Sequence, residues 1–254
     1  MSCELFKFLD PKNVDDVLVR GTVRISTFSY FRKLEGAPGI GDPDEASTIV
    51  DAGGAIVTSD SEETQEEPWR VEGFRPLVGA QTGGKVIFAP GVKVRYVRDD
   101  RFIFCASQGE RDRLVQAMCR DAEKPYEACV RILVPLDLLA HRIFWRGTII
   151  ELDDQPVRQH FQMVSSGPVS YDAVEHHHAA GRAPAPSPFM KRSDFAPQSE
   201  VRIVLVPIRD VERDQLTVKL PHPEKIFAEE FRSIPPITGS DSLTRELGAG
   251  SGCA

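Results

Sequence analysis

The sequence predicts an α+β fold, a single domain of mostly antiparallel strands with a few short helices packed on them. Three observations lead there. Short segments rich in aromatic and β-branched residues recur along the chain, turn residues punctuate them, and the regular strand–helix alternation of a doubly wound fold is missing. No G-x-G-x-x-G, G-x-x-x-x-G-K-[ST], G-x-S-x-G or H-E-x-x-H occurs to suggest a nucleotide loop, nucleophile elbow or zinc helix.

The first thirty residues read as strand, helix, strand. Residues 4–9 (ELFKFL) are aromatic-rich and alternate; Asp10 and Pro11 supply an N-cap and first helical position; Val14, Val17 and Leu18 form one apolar stripe; Gly21 closes the helix. Residues 22–26 (TVRIS) return as a strand beside the first. Residues 36–46 (GAPGIGDPDEA) are turn chemistry and read as a long irregular loop. The acid-rich 59–68 (SDSEETQEEP) reads as a solvated excursion. Strands follow at 85–89, 92–97 and 101–106, and Ser107 with Glu110 forms an S-x-x-E capping box before a helix carrying Leu114, Ala117 and Met118. Residues 128–134 read as a buried strand, 135–140 as a short helix and 141–151 (HRIFWRGTIIE) as a long or bulged strand. The histidine- and proline-rich 172–188 reads as a surface connection. Residues 200–207 (EVRIVLVP) are apolar nearly throughout, as a central strand requires, and 215–220 (QLTVKL) reads as a hairpin-like partner. Residues 223–231 read as a short amphipathic helix. The expected organisation is one domain over 1–232 and a flexible tail over 233–254, where Pro, Gly, Ser and Thr dominate.

Composition narrows the function. The 254 residues carry 31 Lys plus Arg against 38 Asp plus Glu, a formal charge of −7, so no broad basic face coats nucleic acid and only a local groove remains open to it. Five cysteines without a C-x-x-C pair suit reduced thiols and a cytoplasmic setting. No signal peptide and no spanning segment is read, so no membrane partner is expected.

Three clusters could carry chemistry. Residues 189–205 (FMKRSDFAPQSEVRIVL) deliver Gln198 and Glu200 from a polar loop onto the start of an apolar strand, and Arg202, two residues on, shares the face of Glu200. A rigidly held carboxylate suits developing positive charge, as in glycosyl transfer; a plain Glu200–Arg202 ion pair is the alternative. Ser26, Thr27 and Tyr30 belong to a hydroxyl and aromatic patch able to bind and stack a ring, or to a helix cap followed by core aromatics. Lys7, between Phe6 and Phe8, either snorkels at an edge or lines a phosphate or ribose site. His176, His177 and His178 read as an exposed loop, Asp42, Asp44 and Glu45 as turn acids with metal binding as the alternative, Cys105 and Cys129 as inert core thiols, and Trp69 and Trp145 as packing residues.

These pieces resemble a large bacterial family catalogued as domain of unknown function 2971. LFKFLD, the helix ending at Gly21, TVRISTFSYF, the GDPDEA loop and the late FMKRSDFAPQSEVRI match its order and spacing. The likeness covers both ends of the domain and not the middle, and the late motif here is Gln-x-Glu-x-Arg. The arrangement also resembles the split active site of ADP-ribosyltransferases, with a split sheet around NAD. That resemblance implies Lys7 near the adenosine ribose or phosphates, Ser26 and Thr27 near the nicotinamide ribose, Tyr30 stacked on nicotinamide, Glu200 as catalytic carboxylate and Gln198 facing the acceptor. Lys7 stands where a His or Arg is usual, and Ser-Thr-Phe where Ser-Thr-Ser is usual.

The expected function is therefore an ADP-ribosyltransferase-like enzyme that uses NAD to modify an unknown protein or nucleic-acid acceptor, in toxin or phage-defence biology, where an inhibitory partner protein is also conceivable. The rival readings are a non-catalytic module in which Lys7, Tyr30 and Arg202 form a nucleotide or peptide pocket, and a metal-dependent nuclease using Asp42, Asp44, Glu45 and Glu200.

Overall fold

The structure, a computed structural model, describes residues 4–34, 44, 46–51, 56–58, 85–87, 89–97, 100–122, 125–172, 175–177, 186–209 and 211–233. The acid run at 59–68, Trp69, most of the 36–46 loop, His178 and, beyond Ser233, the tail lie outside the described residues.

In chain order the strands are β1 (Glu4–Leu9), β2 (Thr22–Thr27), β3 (Ser47–Asp51), β4 (Ile56–Thr58), β5 (Lys85–Ile87), β6 (Lys93–Val97), β7 (Phe102–Gly109) and β8 (Ala128–Ile132). They continue as β9 (Thr148–Ile149), β10 (Gln155–Pro156), β11 (Phe161–Pro168), β12 (Ser170–Asp172), β13 (Glu175–His177), β14 (Met190–Arg192), β15 (Glu200–Pro207), β16 (Gln215–Lys219) and β17 (Phe227–Phe231). The α-helices are α1 (Val14–Leu18), α2 (Phe28–Lys33), α3 (Arg111–Val115), α4 (Leu136–Arg146) and α5 (Val157–His160). Ten strands build one sheet whose pairings are all antiparallel, and the rest form small sheets of two or three strands. This is the α+β class the sequence predicts.

The sheet forks at β7. Along one edge β7 pairs with β15, from Phe102 to Ser107. Its other edge is shared: β1 pairs at Ser107–Gly109 and β2 only at Phe102 and Ile103. From there β1 leads to β8 and β17, while β2 leads to β16, β9 and β10. The first two strands are thus not neighbours, as the opening strand–helix–strand pattern suggests. They diverge from one central strand and leave the stretch between the two pairings, residues 104–106, open on that edge.

Alternation along these strands separates two faces. Leu5 and Leu9, Val23 and Ile25, Phe102 and Phe104, Val130, Val201, Ile203 and Leu205, and Leu216 and Val218 build the main core, which α4 closes with Leu139, Ala140 and Ile143. The opposite face carries two smaller clusters. Phe6, Phe8, Leu114, Val115 and Cys129 pack under α3, and Phe28, Ile103 and Val204 pack at the start of α2. Between these clusters the sheet face is polar, and there the cleft opens.

Several elements differ from the sequence reading. The expected strand at 141–151 is mostly α4: Leu139, Ala140 and Ile143 recur at helical spacing and are buried, and only Thr148–Ile149 is extended. The Ser107 capping box does not form, because Ser107 is held in two ladders by Phe6 and Glu200, and Glu110 stands at the N-cap of α3 instead. The helix expected at 223–231 is a 3₁₀ turn at Pro223–Lys225 followed by β17 on β8. Finally, β16 pairs with β2 and β9 rather than forming a hairpin with β15, whose second neighbour is β11.

Candidate active site

The cleft of about 230 Å³ is lined by Lys7, Ser26, Tyr30, Gln198, Glu200 and Arg202, together with Arg24, Cys105, Ser107, Tyr126, Lys191 and Gln215. Six of the seven residues singled out from the sequence therefore meet in one place, brought together from both ends of the chain by the fork. Thr27 does not line it. Its Oγ1 accepts the Tyr30 backbone N–H at 3.1 Å, so Thr27 is the N-cap of α2. That cap sets where Tyr30 stands, and the Tyr30 ring is held edge-on against Phe31 at 5.6 Å. Ser26 is buried, and its hydroxyl accepts from Gln215 Nε2 at 3.1 Å across the β2–β16 ladder.

Glu200 enters from a tight turn. The 3₁₀ segment Ser193–Gln198 ends at Ser199, whose left-handed backbone (φ 43°) swings the chain onto β15. The Glu200 N–H donates to the Tyr171 hydroxyl at 2.6 Å, and the Ser199 carbonyl accepts from the Gln108 N–H at 2.9 Å, which fixes the strand's first residue. The side chain then lies between two cations. Arg202 Nε donates to Oε1 at 2.5 Å and Lys191 Nζ to Oε2 at 2.9 Å. Arg202 is fully buried, and its Nη1 donates to the Pro188 carbonyl at 2.6 Å. Lys191 also donates to Gln198 Oε1 at 3.1 Å and lies 4.4 Å from the Phe195 ring centroid.

Burial by itself pushes the Glu200 carboxyl up, but Arg202 and Lys191 outweigh it and hold the group well below the usual carboxylate range. Glu200 is thus an anion near neutral pH. The Glu200–Arg202 ion pair exists, yet it is buried, so it follows the energetics of a desolvated triad: removing the carboxylate strands two cations, at a cost of about 3–5 kcal/mol.

Lys7 does not snorkel. By alternation it shares the face of Leu5 and Leu9, and its Nζ reaches the fork, donating to the Cys105 carbonyl at 2.7 Å and lying 5.1 Å from the Phe104 ring centroid. Cys105 lies in the stretch of β7 that neither β1 nor β2 pairs on that edge, so the ammonium serves a carbonyl exposed by the fork. Burial pushes the Lys7 pKa down, with Glu200 among the charges that oppose it. The Cys105 thiol is driven far up by burial and then by Glu200, and the Tyr126 hydroxyl is raised to about 12, chiefly by burial. Neither is a nucleophile or base near neutral pH.

Against the one carboxylate, Glu200, the lining contributes four cationic side chains, Lys7, Arg24, Lys191 and Arg202. The cleft therefore favours an anionic ligand with a ring for Tyr30. At about 230 Å³ it falls below the roughly 300–1,000 Å³ of pockets that enclose a whole ligand.

The metal alternative gains nothing here. Among the described residues no group of three or more His, Cys, Asp or Glu could hold an ion. Asp44 is instead bonded by Arg95 at 2.7 Å and faces Arg192 at 3.6 Å, while Asp42 and Glu45 lie outside the described residues. Cys129 is buried as expected, and Trp145 packs edge-on against Phe144 with ring centroids 5.2 Å apart while staying 48% exposed. His176 and His177 fall in β13, beside β3.

Tyr171, Ser107 and Gln215 were not assigned to this site from the sequence. Lys191 was legible as a base in the late motif, but its bond to Glu200 depends on the return of β14. Ser107 was hidden by its resemblance to a helix cap.

No protein-family model matches the chain, and no curated protein or solved structure matches it either.

Proposed function

We propose that the cleft binds NAD through its nicotinamide riboside end and that the protein transfers ADP-ribose to a macromolecular acceptor. The observation that carries this reading is the convergence of Lys7, Ser26, Tyr30, Gln198 and Glu200, with Arg202, on one cationic cleft at the fork. Tyr30 supplies a wall for the nicotinamide ring, Ser26 a hydroxyl for the ribose, and the cations Lys7 and Arg24 attract the diphosphate. The C1′–N bond breaks with its electron pair leaving on nicotinamide, which neutralises the pyridinium. The resulting oxocarbenium-like ribose is stabilised by the Glu200 carboxylate, and the acceptor nucleophile bonds C1′ and releases its proton to solvent water. Gln198, beside Lys191, is on hand for the acceptor.

Arg202 and Lys191 each occupy one Glu200 oxygen, but an ionised carboxylate has about four acceptor sites, so a ribose hydroxyl still finds one. The same double engagement also favours a second reading, a module that binds the nucleotide and leaves it intact.

The experiment is nicotinamide release from NAD by the purified full chain, with and without a cell extract as acceptor source. Transfer requires release that falls at least a hundredfold in Tyr30→Ala and Ser26→Ala variants that melt like the parent. Binding of NAD without release establishes the second reading. Neither binding nor release overturns both.

A further inference from the structure

A second groove lies on the other side of the sheet. It has a volume of about 520 Å³ and runs between α4 and the turn that leads into β17, lined by Leu138, His141, Arg142, Arg146, Pro221, His222, Lys225 and Ile226. Because α4 buries Leu139, Ala140 and Ile143 in the main core, this groove is remote from the cleft, which opens on the opposite face.

Its chemistry is one-sided. Three permanent cations and two imidazoles line it with no carboxylate among them, in a chain whose formal charge is −7. Two acids flank it: Glu224, whose carboxylate is 3.6 Å from His222 Nδ1, and Asp137, which precedes Leu138 in the first turn of α4. The helix dipole accounts for a cation in the last turn of α4, and so for Arg146, but it does not account for Lys225 across the groove. The two walls are tied to one another: Arg142 Nη1 donates to the Lys225 carbonyl at 3.4 Å. The turn is itself fixed by Pro223 and by the Leu133 N–H donating to the Ile226 carbonyl at 2.7 Å.

Aromatic and apolar surface accompanies the charge. Leu138 and Trp145 are 40% and 48% exposed. Trp145 stands one turn from His141 on α4, with ring centroids 6.2 Å apart, and Arg158 lies 5.9 Å from the indole centroid. Cations that track a groove beside an exposed indole are the elements that hold a single nucleic-acid strand, phosphates on the cations and a base on the ring. An acidic peptide satisfies the cations but gives no reason for the exposed indole.

We propose that the groove between α4 and the His222–Lys225 turn binds single-stranded nucleic acid, with Arg142, Arg146 and Lys225 on phosphates and Trp145 stacked on a base. This goes beyond the reading of the cleft and does not depend on it.

The test is fluorescence anisotropy of the full chain with an end-labelled oligothymidylate of twenty nucleotides. Three phosphate contacts give a log–log salt slope of about −2, so raising salt fourfold weakens binding roughly tenfold to twentyfold. Trp145→Ala weakens binding at least fivefold with the slope unchanged. The triple substitution Arg142→Glu, Arg146→Glu, Lys225→Glu weakens it at least tenfold and flattens the slope, while leaving the melting temperature and nicotinamide release as in the parent. Should the triple variant not fold, Lys225→Glu alone, on an exposed side chain, reads the same slope. Absence of salt-dependent binding, equal binding by the variants, or polyglutamate binding as tightly as the oligonucleotide overturns the proposal.

Discussion

At the scale of single residues, Glu200 connects stability to chemistry. Its carboxylate accepts from Arg202 and Lys191 in a site where all three side chains are almost fully buried. Glu200→Gln leaves two cations facing a neutral amide and is expected to cost about 3–5 kcal/mol, measured by denaturant unfolding. A loss below about 1 kcal/mol contradicts the triad as described. The pH dependence has a definite sign. Because the folded pKa of Glu200 lies below its ordinary 4.5, its contribution is fully present above that pH. It is lost as pH falls below 4.5 through the folded value. Melting curves below pH 4.5 are expected to fall more steeply for the parent than for Glu200→Gln, and parallel curves contradict the assignment. Glu200, Gln198 and Arg202 were legible because a polar loop ran directly onto an apolar strand. Lys191 was visible as a charge but not as a partner, since nothing local sets the turn at Ser199 that aims Glu200 toward it.

At the scale of elements, local turn chemistry was informative where it was steric and misleading where it rested on periodicity. Gly21 was legible as a helix stop, and it adopts φ +70° where an added Cβ would lie 2.5 Å from the Leu220 carbonyl oxygen. Gly21→Ala is expected to destabilise by more than about 1 kcal/mol, read as a shift in the denaturation midpoint with the m-value kept. An unchanged midpoint contradicts the close approach of β16's end to this turn. The 141–151 segment misled because a short apolar run satisfies helix and strand spacing alike, and only the tertiary burial of Ile143 with Leu139 decides between them. Phe227–Phe231 misled in the opposite direction, since the strand exists through pairing with β8, a partner remote in sequence.

At the scale of the whole molecule, the α+β class and the meeting of the two chain ends could be anticipated, whereas the fork that creates the cleft could not. A strand that shares one edge between two branches is a property of register, and register follows from non-local pairing. Lys7 shows the consequence, because its ammonium serves a carbonyl of β7 in the stretch where the branches part. Lys7→Met is expected to leave that carbonyl without its cation and lower stability by about 1–3 kcal/mol, measured by denaturant unfolding; a loss within error contradicts the role.

The most direct measurement of the central claim is a calorimetric titration of the full chain with NAD at neutral pH, paired with the same titration of Tyr30→Ala. The result expected is one NAD per chain for the parent and at least tenfold weaker binding for a variant with the parent's melting temperature. No heat and no stabilisation by NAD in the parent, or equal affinity in the variant, contradicts the account.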